Sequence, residues 1–335
     1  MARRKTMADF QIISRGGDAG PYQAFPDVCR LKNGDLYCVF YTGYGHVSLP
    51  DTSKGWAQGW RICAVRSRDE GKTWSAPITI FDDALDNRDP HVAQLRDGSL
   101  LCSFFSLKPG TGGRPYDGIG TQLIRSLDGG KTWDKTAQII APVGWYCSAP
   151  VRQLPDKTCI LGIYYFGGAA KDFGGVIRST DSGRTWSAPI SIGEGQHIPL
   201  DAETDMIRLK DGMLLAALRS SKVNLHFSTS HDNGKSWGPA CDSGFKGHAP
   251  HFTRLKTGEI LLTHRLPQTA LHVSRDDART WEGPSEIDNV IGAYPSTLEL
   301  REGRVLVVYY TEGAESHVRA KRFKLTATGI AFVPW

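Results

Sequence analysis

Apolar residues in this chain come in short runs separated by polar turns, with no long stretch of helical period. The commonest unit is an apolar run, a Leu, two polar residues, a Gly and a second apolar run. Such units begin at Phe25-Pro26-Asp27-Val28, Asp89-Pro90-His91-Val92, Ala149-Pro150-Val151, Glu203-Thr204-Asp205-Met206, Ala249-Pro250-His251-Phe252 and Tyr294-Pro295-Ser296-Thr297. Gly34, Gly98, Gly212, Gly258 and Gly303 mark five of the turns. Strand, tight turn, strand is the signature of a β-hairpin, so six hairpins are predicted.

A second pattern interleaves with the first. Ser67-Arg68-Asp69-Glu70-Gly71-Lys72-Thr73-Trp74 returns with its Ser, Asp and Trp around Asp128, Asp181, Asp232 and Asp276, at spacings of 59, 53, 51 and 44 residues. The fifth copy has Ala278 where the others have Gly. A short acidic side chain can accept hydrogen bonds from its own turn, and glycine supplies a positive φ. The Trp is large enough to wedge the turn between neighbouring sheets. These Asp residues are therefore expected to shape turns and do no chemistry.

Each hairpin plus a third strand and an Asp/Trp turn makes a unit of about 45–60 residues, the size of a propeller blade. The predicted fold class is all-β, a six-bladed β-propeller of four-stranded antiparallel blades. The sixth unit lacks the Asp/Trp turn but has a third strand at 317–325. Residues 10–14 are expected to supply its outermost strand, so that the chain ends close the ring and remove exposed edges. Residues 1–8 are read as a disordered N-terminal extension and 9–335 as one propeller domain.

Composition narrows the picture. There are 37 Gly, 18 Pro and 9 Trp, which suits many short elements. The formal charge of +5 is mild and scattered, so no nucleic-acid surface is expected. No apolar run approaches the ~18 residues of a membrane span, and no signal-peptide core follows the basic start. The seven Cys lack paired spacing and sit in strands, which favours reduced thiols and a cytoplasmic location. No metal motif occurs, and no metal or cofactor is expected.

In a propeller the starts of the innermost strands converge on one face, as do the ends of the second strands. Here those places hold Arg88, Asp89, Asp201, Glu203, His248, His251, Tyr294, Arg219 and Arg265. Ionisable groups gathered at such a place mark a functional cleft. Trp56, Trp60 and Trp145 lie outside the Asp/Trp turns and offer platforms for sugar rings. His46, His91, His197, His248 and His251 fall near the axis. They are placed to bond sugar hydroxyls or to act as acid or base in a diverged site.

The Asp/Trp turns resemble the Asp-box (BNR) repeat of the sialidase superfamily over roughly residues 10–325. That resemblance implies a Tyr nucleophile, the known exception to the two-carboxylate pattern of glycosidases. A neutral Tyr can approach an anomeric carbon that carries a carboxylate, where an Asp would be repelled, if a Glu takes its proton. By resemblance Tyr294 is the nucleophile, Glu203 its base and Asp51 the acid. Arg219 matches one of the family's three carboxylate-binding Arg. Ala24 and Gln268 stand at the other two places, with Arg88 and Arg265 near enough to substitute. Asp89, His248 and Trp145 complete the expected substrate contacts.

The expected function is retaining hydrolysis of a terminal acidic, sialic-acid-like sugar, with a carbohydrate substrate as partner, no nucleic acid and no membrane. Two alternatives remain open at this point. One is a propeller hydrolase or lyase acting on a different sugar; the other is a propeller that binds carbohydrate without catalysis.

Overall fold

The computed structural model describes residues 10–55, 59–167, 172–201, 203–313 and 315–335. The extension expected at residues 1–8 and the platform expected at Trp56 lie outside the described residues. The described chain forms six antiparallel sheets in chain order. Among the described residues helix is limited to three 3₁₀ turns, Gly17–Ala19, Thr52–Lys54 and Arg301–Gly303. No described helix is long and apolar enough to cross a membrane.

Blade 1 runs through Tyr22–Arg30, Leu36–Gly43, Ile62–Ser67 and Ile78–Phe81. Blades 2 to 5 repeat this order, their inner strands starting at Asp86, Trp145, Thr204 and His248. Blade 6 is Gly292–Glu299, Val305–Thr311 and Val318–Thr326. Gln11–Ser14 pairs with its third strand, Gln11 opposite Ala320, so the chain start closes the ring as the pattern predicts. Gly329–Phe332 covers the rest of that same edge.

The core is divided among the blade interfaces. Leu36, Cys38 and Phe40 of blade 1 pack on Leu306 and Val308 of blade 6, and a comparable buried cluster fills each of the other five interfaces. Trp74, Trp133, Trp186, Trp237 and Trp281 each pack into a different one. Blade 6 has no Asp-box, and its interface with blade 5 is filled by Val290, Leu325 and Ile330 instead. The Asp-box Trp is thus a wedge between sheets, and all seven Cys are free, most of them buried in strands.

Near the axis, side chains stitch one blade to another. Asp27 accepts from Val92 N at 2.8 Å and from Ser296 Oγ at 2.6 Å, joining blades 1, 2 and 6. Asp205 holds the Arg152 guanidinium and accepts from Phe252 N at 2.7 Å, joining blades 3, 4 and 5. Backbone amides of the next blade would otherwise be buried without partners, which is costly.

Candidate active site

Four inner strands open with a residue before proline held at positive φ: Phe25 (53°), Asp89 (52°), Ala249 (49°) and Tyr294 (46°). The strand pairing slips at each of these places. Non-glycine residues seldom adopt this conformation, and a following proline favours extended backbone at negative φ instead. Such strain tends to gather at functional sites. The bulge re-aims the side chain toward the axis.

The centre of the site is Tyr294. Its hydroxyl donates to Glu203 Oε1 at 2.5 Å. Arg219 Nη1 lies 2.5 Å from the same oxygen, and Glu203 Oε2 accepts from Ala249 N at 2.9 Å. Arg219 also reaches Asp201 at 3.5 Å. The Arg265 guanidinium lies over the Tyr294 ring, 4.8 Å from its centroid. Burial alone would raise the Glu203 carboxyl, but Arg219, Arg265 and the Tyr294 hydrogen bond outweigh it and hold it below its ordinary value. Burial, then the Glu203 charge, pushes the Tyr294 hydroxyl well up, against the pull of both Arg. The proton therefore rests on Tyr294 with an ionised acceptor already in hydrogen-bond contact.

The other expected residues divide into two groups. Arg88, Asp89 and His248 join the centre. Arg88 is buried with its guanidinium over Phe25, Tyr41 and Phe105, at 5.3, 5.9 and 5.7 Å. Phe25 follows Ala24 and touches the Tyr294 ring at 5.1 Å, so Arg88 reaches the neighbourhood of the Ala24 place. Asp89 is buried, its Oδ2 accepts from Ser148 Oγ at 3.4 Å, and burial raises its carboxyl. His248 is lowered to about 4 by burial and then by Arg219 and Arg265, so it faces the same pair of cations.

Asp51 and Trp145 are placed differently. Asp51 caps the Thr52–Lys54 turn, its Oδ1 accepting from Ser53 N at 3.1 Å and Ser53 Oγ at 2.6 Å. Trp145 packs at a tilt on Tyr165 and edge-on to Phe173, centroids 5.4 and 5.5 Å apart, in the wall of a cavity of about 770 Å³ also lined by Glu194 and His197. Gln268 is bypassed, because Arg265 and not Gln268 covers Tyr294.

Glu312 was missed in the sequence. It accepts from Tyr22 OH at 2.8 Å and Tyr310 OH at 3.1 Å, beside the cluster of Phe25, Tyr41 and Tyr294. The one available signal is its position just past the second strand of blade 6, where a rim residue belongs. Among the described residues no group of His, Cys, Asp and Glu is arranged to hold a metal ion.

Comparison with known proteins agrees with this fold. The sequence profile of the BNR repeat-like domain matches residues 88–307. A sialidase from Micromonospora viridifaciens is 30% identical over 255 residues, 68% of this chain but 38% of that protein. The chain therefore spans well under half of that relative. A Dyadobacter fermentans protein of unknown function superposes with a TM-score of 0.78 at 21% identity, covering 95% of this chain and 98% of the other. A leech intramolecular trans-sialidase superposes with a TM-score of 0.75 at 12% identity, covering 97% and 71%. Identities this low speak for fold alone. The profile match and the five Asp-boxes on a six-bladed ring place the chain in the BNR repeat-like domain family of the sialidase superfamily.

Proposed function

We propose that this protein is a retaining glycoside hydrolase that removes a terminal acidic sugar through a covalent adduct on Tyr294. The observation that carries the reading is the 2.5 Å contact of the Tyr294 hydroxyl with Glu203, set between two Arg. A phenol at its ordinary pKa of ~10 is a poor nucleophile unless a base takes its proton as it attacks. Glu203 is in place to do so. As negative charge develops on the tyrosyl oxygen, Arg219 and Arg265 stabilise it in a site shielded from water.

The same cations select the substrate. Arg219 is engaged by Glu203 and Asp201, while Arg265 makes no described salt bridge and Arg88, lying over ring faces, has a long ion pair of 4.0 Å with Asp86. Arg binds carboxylate through paired hydrogen bonds, so a carboxylate at the anomeric carbon is the complementary group. In this reading Arg88 reaches in from blade 2 to take the role left by Ala24, Arg265 takes the one left by Gln268, and His248 and Asp89 bond hydroxyls. The sialidase relative makes a sialic-acid-like sugar the first candidate.

The test is to trap the intermediate. A fluorinated sialoside that slows the second step should leave its sugar on the peptide containing Tyr294, seen by mass spectrometry. An adduct on another residue, or turnover with inversion at the anomeric carbon, would exclude the mechanism.

A further inference from the structure

A retaining reaction needs a group that protonates the leaving oxygen and later activates water. Neither nearby Asp is well disposed for it. Asp51 uses an oxygen to cap its own turn, and Asp89 is enclosed, with Oδ1 shut away from solvent and unpaired. The rim of blade 1 offers another group.

His46 meets the Phe25 ring edge-on, centroids 5.4 Å apart, and the same Phe25 ring meets Tyr294 edge-on at 5.1 Å. One residue thus separates the imidazole from the nucleophile's ring. The His46 side chain is 57% exposed, in a neighbourhood otherwise almost wholly buried. Only one of its nitrogens is anchored. Nδ1 lies 3.2 Å from Tyr22 OH and 3.5 Å from Glu312 Oε2. Tyr22 donates its own proton to Glu312, so its oxygen faces Nδ1 as an acceptor. Both neighbours therefore favour a proton on Nδ1, and Nε2 has no described partner. An imidazole fixed through one nitrogen by a carboxylate, with the other free, is the arrangement of a histidine acid and base.

The loop that carries His46 is tied down. Ser48 Oγ accepts from Tyr44 N and Gly45 N, at 3.1 and 3.2 Å. Ser48 N donates to Asp86 Oδ2 at 3.0 Å, and Tyr41 OH donates to Asp86 Oδ1 at 2.8 Å. A buried carboxylate of blade 2 thus fixes a blade 1 loop, which makes the position of His46 reproducible rather than incidental.

We propose that His46, oriented by Glu312 and Tyr22, is the proton donor and later the general base of this site. The inference rests on the Tyr294 reading above. In the first step the Tyr294 oxygen bonds to the anomeric carbon and its proton passes to Glu203. The glycosidic C–O bond breaks, and the leaving oxygen takes the proton from Nε2. In the second step water attacks the anomeric carbon and gives a proton to Nε2. The tyrosyl oxygen leaves and recovers its proton from Glu203. The charged and titratable groups around the imidazole are Tyr22, Glu312 and, behind it, Tyr310, with Asp86, Asp89 and Arg88 on the blade 2 side.

The experiment compares 3′-sialyllactose, whose leaving alcohol needs a proton, with a 4-nitrophenyl sialoside, whose phenolate does not. Wild type, His46→Gln, Glu312→Gln, Asp51→Asn and Asp89→Asn are assayed from about pH 4 to about pH 9. His46→Gln should lower kcat/KM at least about 100-fold on the lactoside and under about 10-fold on the aryl glycoside, the span expected of a general acid. It should also lose the alkaline fall of the pH profile. Glu312→Gln should keep that fall but move it to lower pH, a shift that a merely structural role would not produce. Equal losses on both substrates, or the selective loss in Asp51→Asn or Asp89→Asn instead, would overturn the assignment while leaving Tyr294 in place. Failure of wild type to cleave either sialoside would overturn the underlying reading, and this assignment with it.

Discussion

The outer rim and the axis of this propeller are both built by repetition, and they use it in opposite ways. On the rim, Asp69, Asp128, Asp181, Asp232 and Asp276 each accept from the hydroxyl four residues on at 2.6 Å and from the same residue's amide at 2.9 Å. Geometry and residue type recur together. At the axis the geometry recurs, a left-handed residue before proline, but the residue is Phe25, Asp89, Ala249 or Tyr294. A position whose backbone is fixed while its side chain varies from blade to blade is free to carry chemistry. The carboxylates reflect this. Hydrogen bonds from Thr or Ser hydroxyls hold Asp128, Asp181 and Asp232 far below the ordinary range, while burial lifts Asp89 above it.

The sharpest way to break this contrast is to remove one oxygen from each region. Tyr294→Phe keeps the ring against Phe25 and Arg265 but deletes the oxygen proposed to attack. Turnover of a sialoside should fall by at least about four orders of magnitude, since the covalent route is lost, with the melting temperature nearly unchanged. Asp181→Ala removes the acceptor of a rim turn. It should cost about 1–2 kcal/mol of stability, as the loss of a local cap does, with kcat unaltered. A rate loss in the rim variant, or full activity in Tyr294→Phe, would erase the distinction.

A second cut lies within the axis. Arg265→Ala should weaken binding of an acidic sugar by about 3 kcal/mol, the scale of breaking a buried charged contact. Its neutral analogue, with the carboxylate reduced to an alcohol, should lose far less. Calorimetric titration on Tyr294→Phe protein separates the two. Equal loss for both sugars would make Arg265 a structural cover for Tyr294.

What the sequence revealed follows the same divide. Five near-identical turns and six hairpins announced the blades, and the chain ends could be matched because one strand was missing from the last unit. The wedge role of the five Trp was legible because each copy kept it. Tyr294 and Glu203 were legible through family resemblance, each opening an inner strand. The Tyr22–Glu312 contact joins residues 290 positions apart across the ring closure, and no local pattern encodes it. Asp86 is similar: as a loop anchor it has no signature, because its partners lie in a blade 1 loop that repeats nowhere else. Loop conformation is equally hidden, since nothing in spacing alone told that an Asp51 oxygen would accept from Ser53.

Acid should find the axis before it finds the rim. Buried His251 is lowered to about 4, first by burial and then by the Arg152 charge, against an ordinary value of 6.5. Between those values the unfolded chain takes up a proton that the folded chain refuses. Stability is therefore full above about pH 6.5 and falls as pH drops toward 4, by up to about 3 kcal/mol from this group. The rim carboxylates act with the same sign but in a lower pH window, below their ordinary value of ~3.9. Their pKa values are depressed, so what they contribute persists below pH 5 and is lost only as pH falls well beneath the ordinary carboxylate range. Denaturant unfolding at intervals from pH 7 to 4 should show stability declining, and His251→Gln should flatten that slope. An unchanged slope in the variant would remove His251 as its source.

The smallest expected effect concerns the rim's own tolerance. Gly71, Gly130, Gly183 and Gly234 occupy the left-handed place of the Asp-box turn, and Ala278 occupies it in the fifth copy at φ 71°. A side chain is therefore admissible there at some strain. Gly71→Ala would set its Cβ no closer than 3.6 Å to any neighbour, which is ordinary contact. The left-handed backbone then costs an L-residue about 1–2 kcal/mol, partly offset by about 0.4–1 kcal/mol from the stiffer unfolded chain. A net loss of about 1 kcal/mol is expected, with kinetics unchanged. In Gly234→Ala the same Cβ would stand 2.4 Å from Ile160 Cδ1, inside the interface of blades 3 and 4, so that side chain must move as well. The second loss should exceed the first when both are measured by denaturant unfolding. Equal losses would mean that backbone strain alone governs the turn and that the blade interface yields freely to an added methyl group.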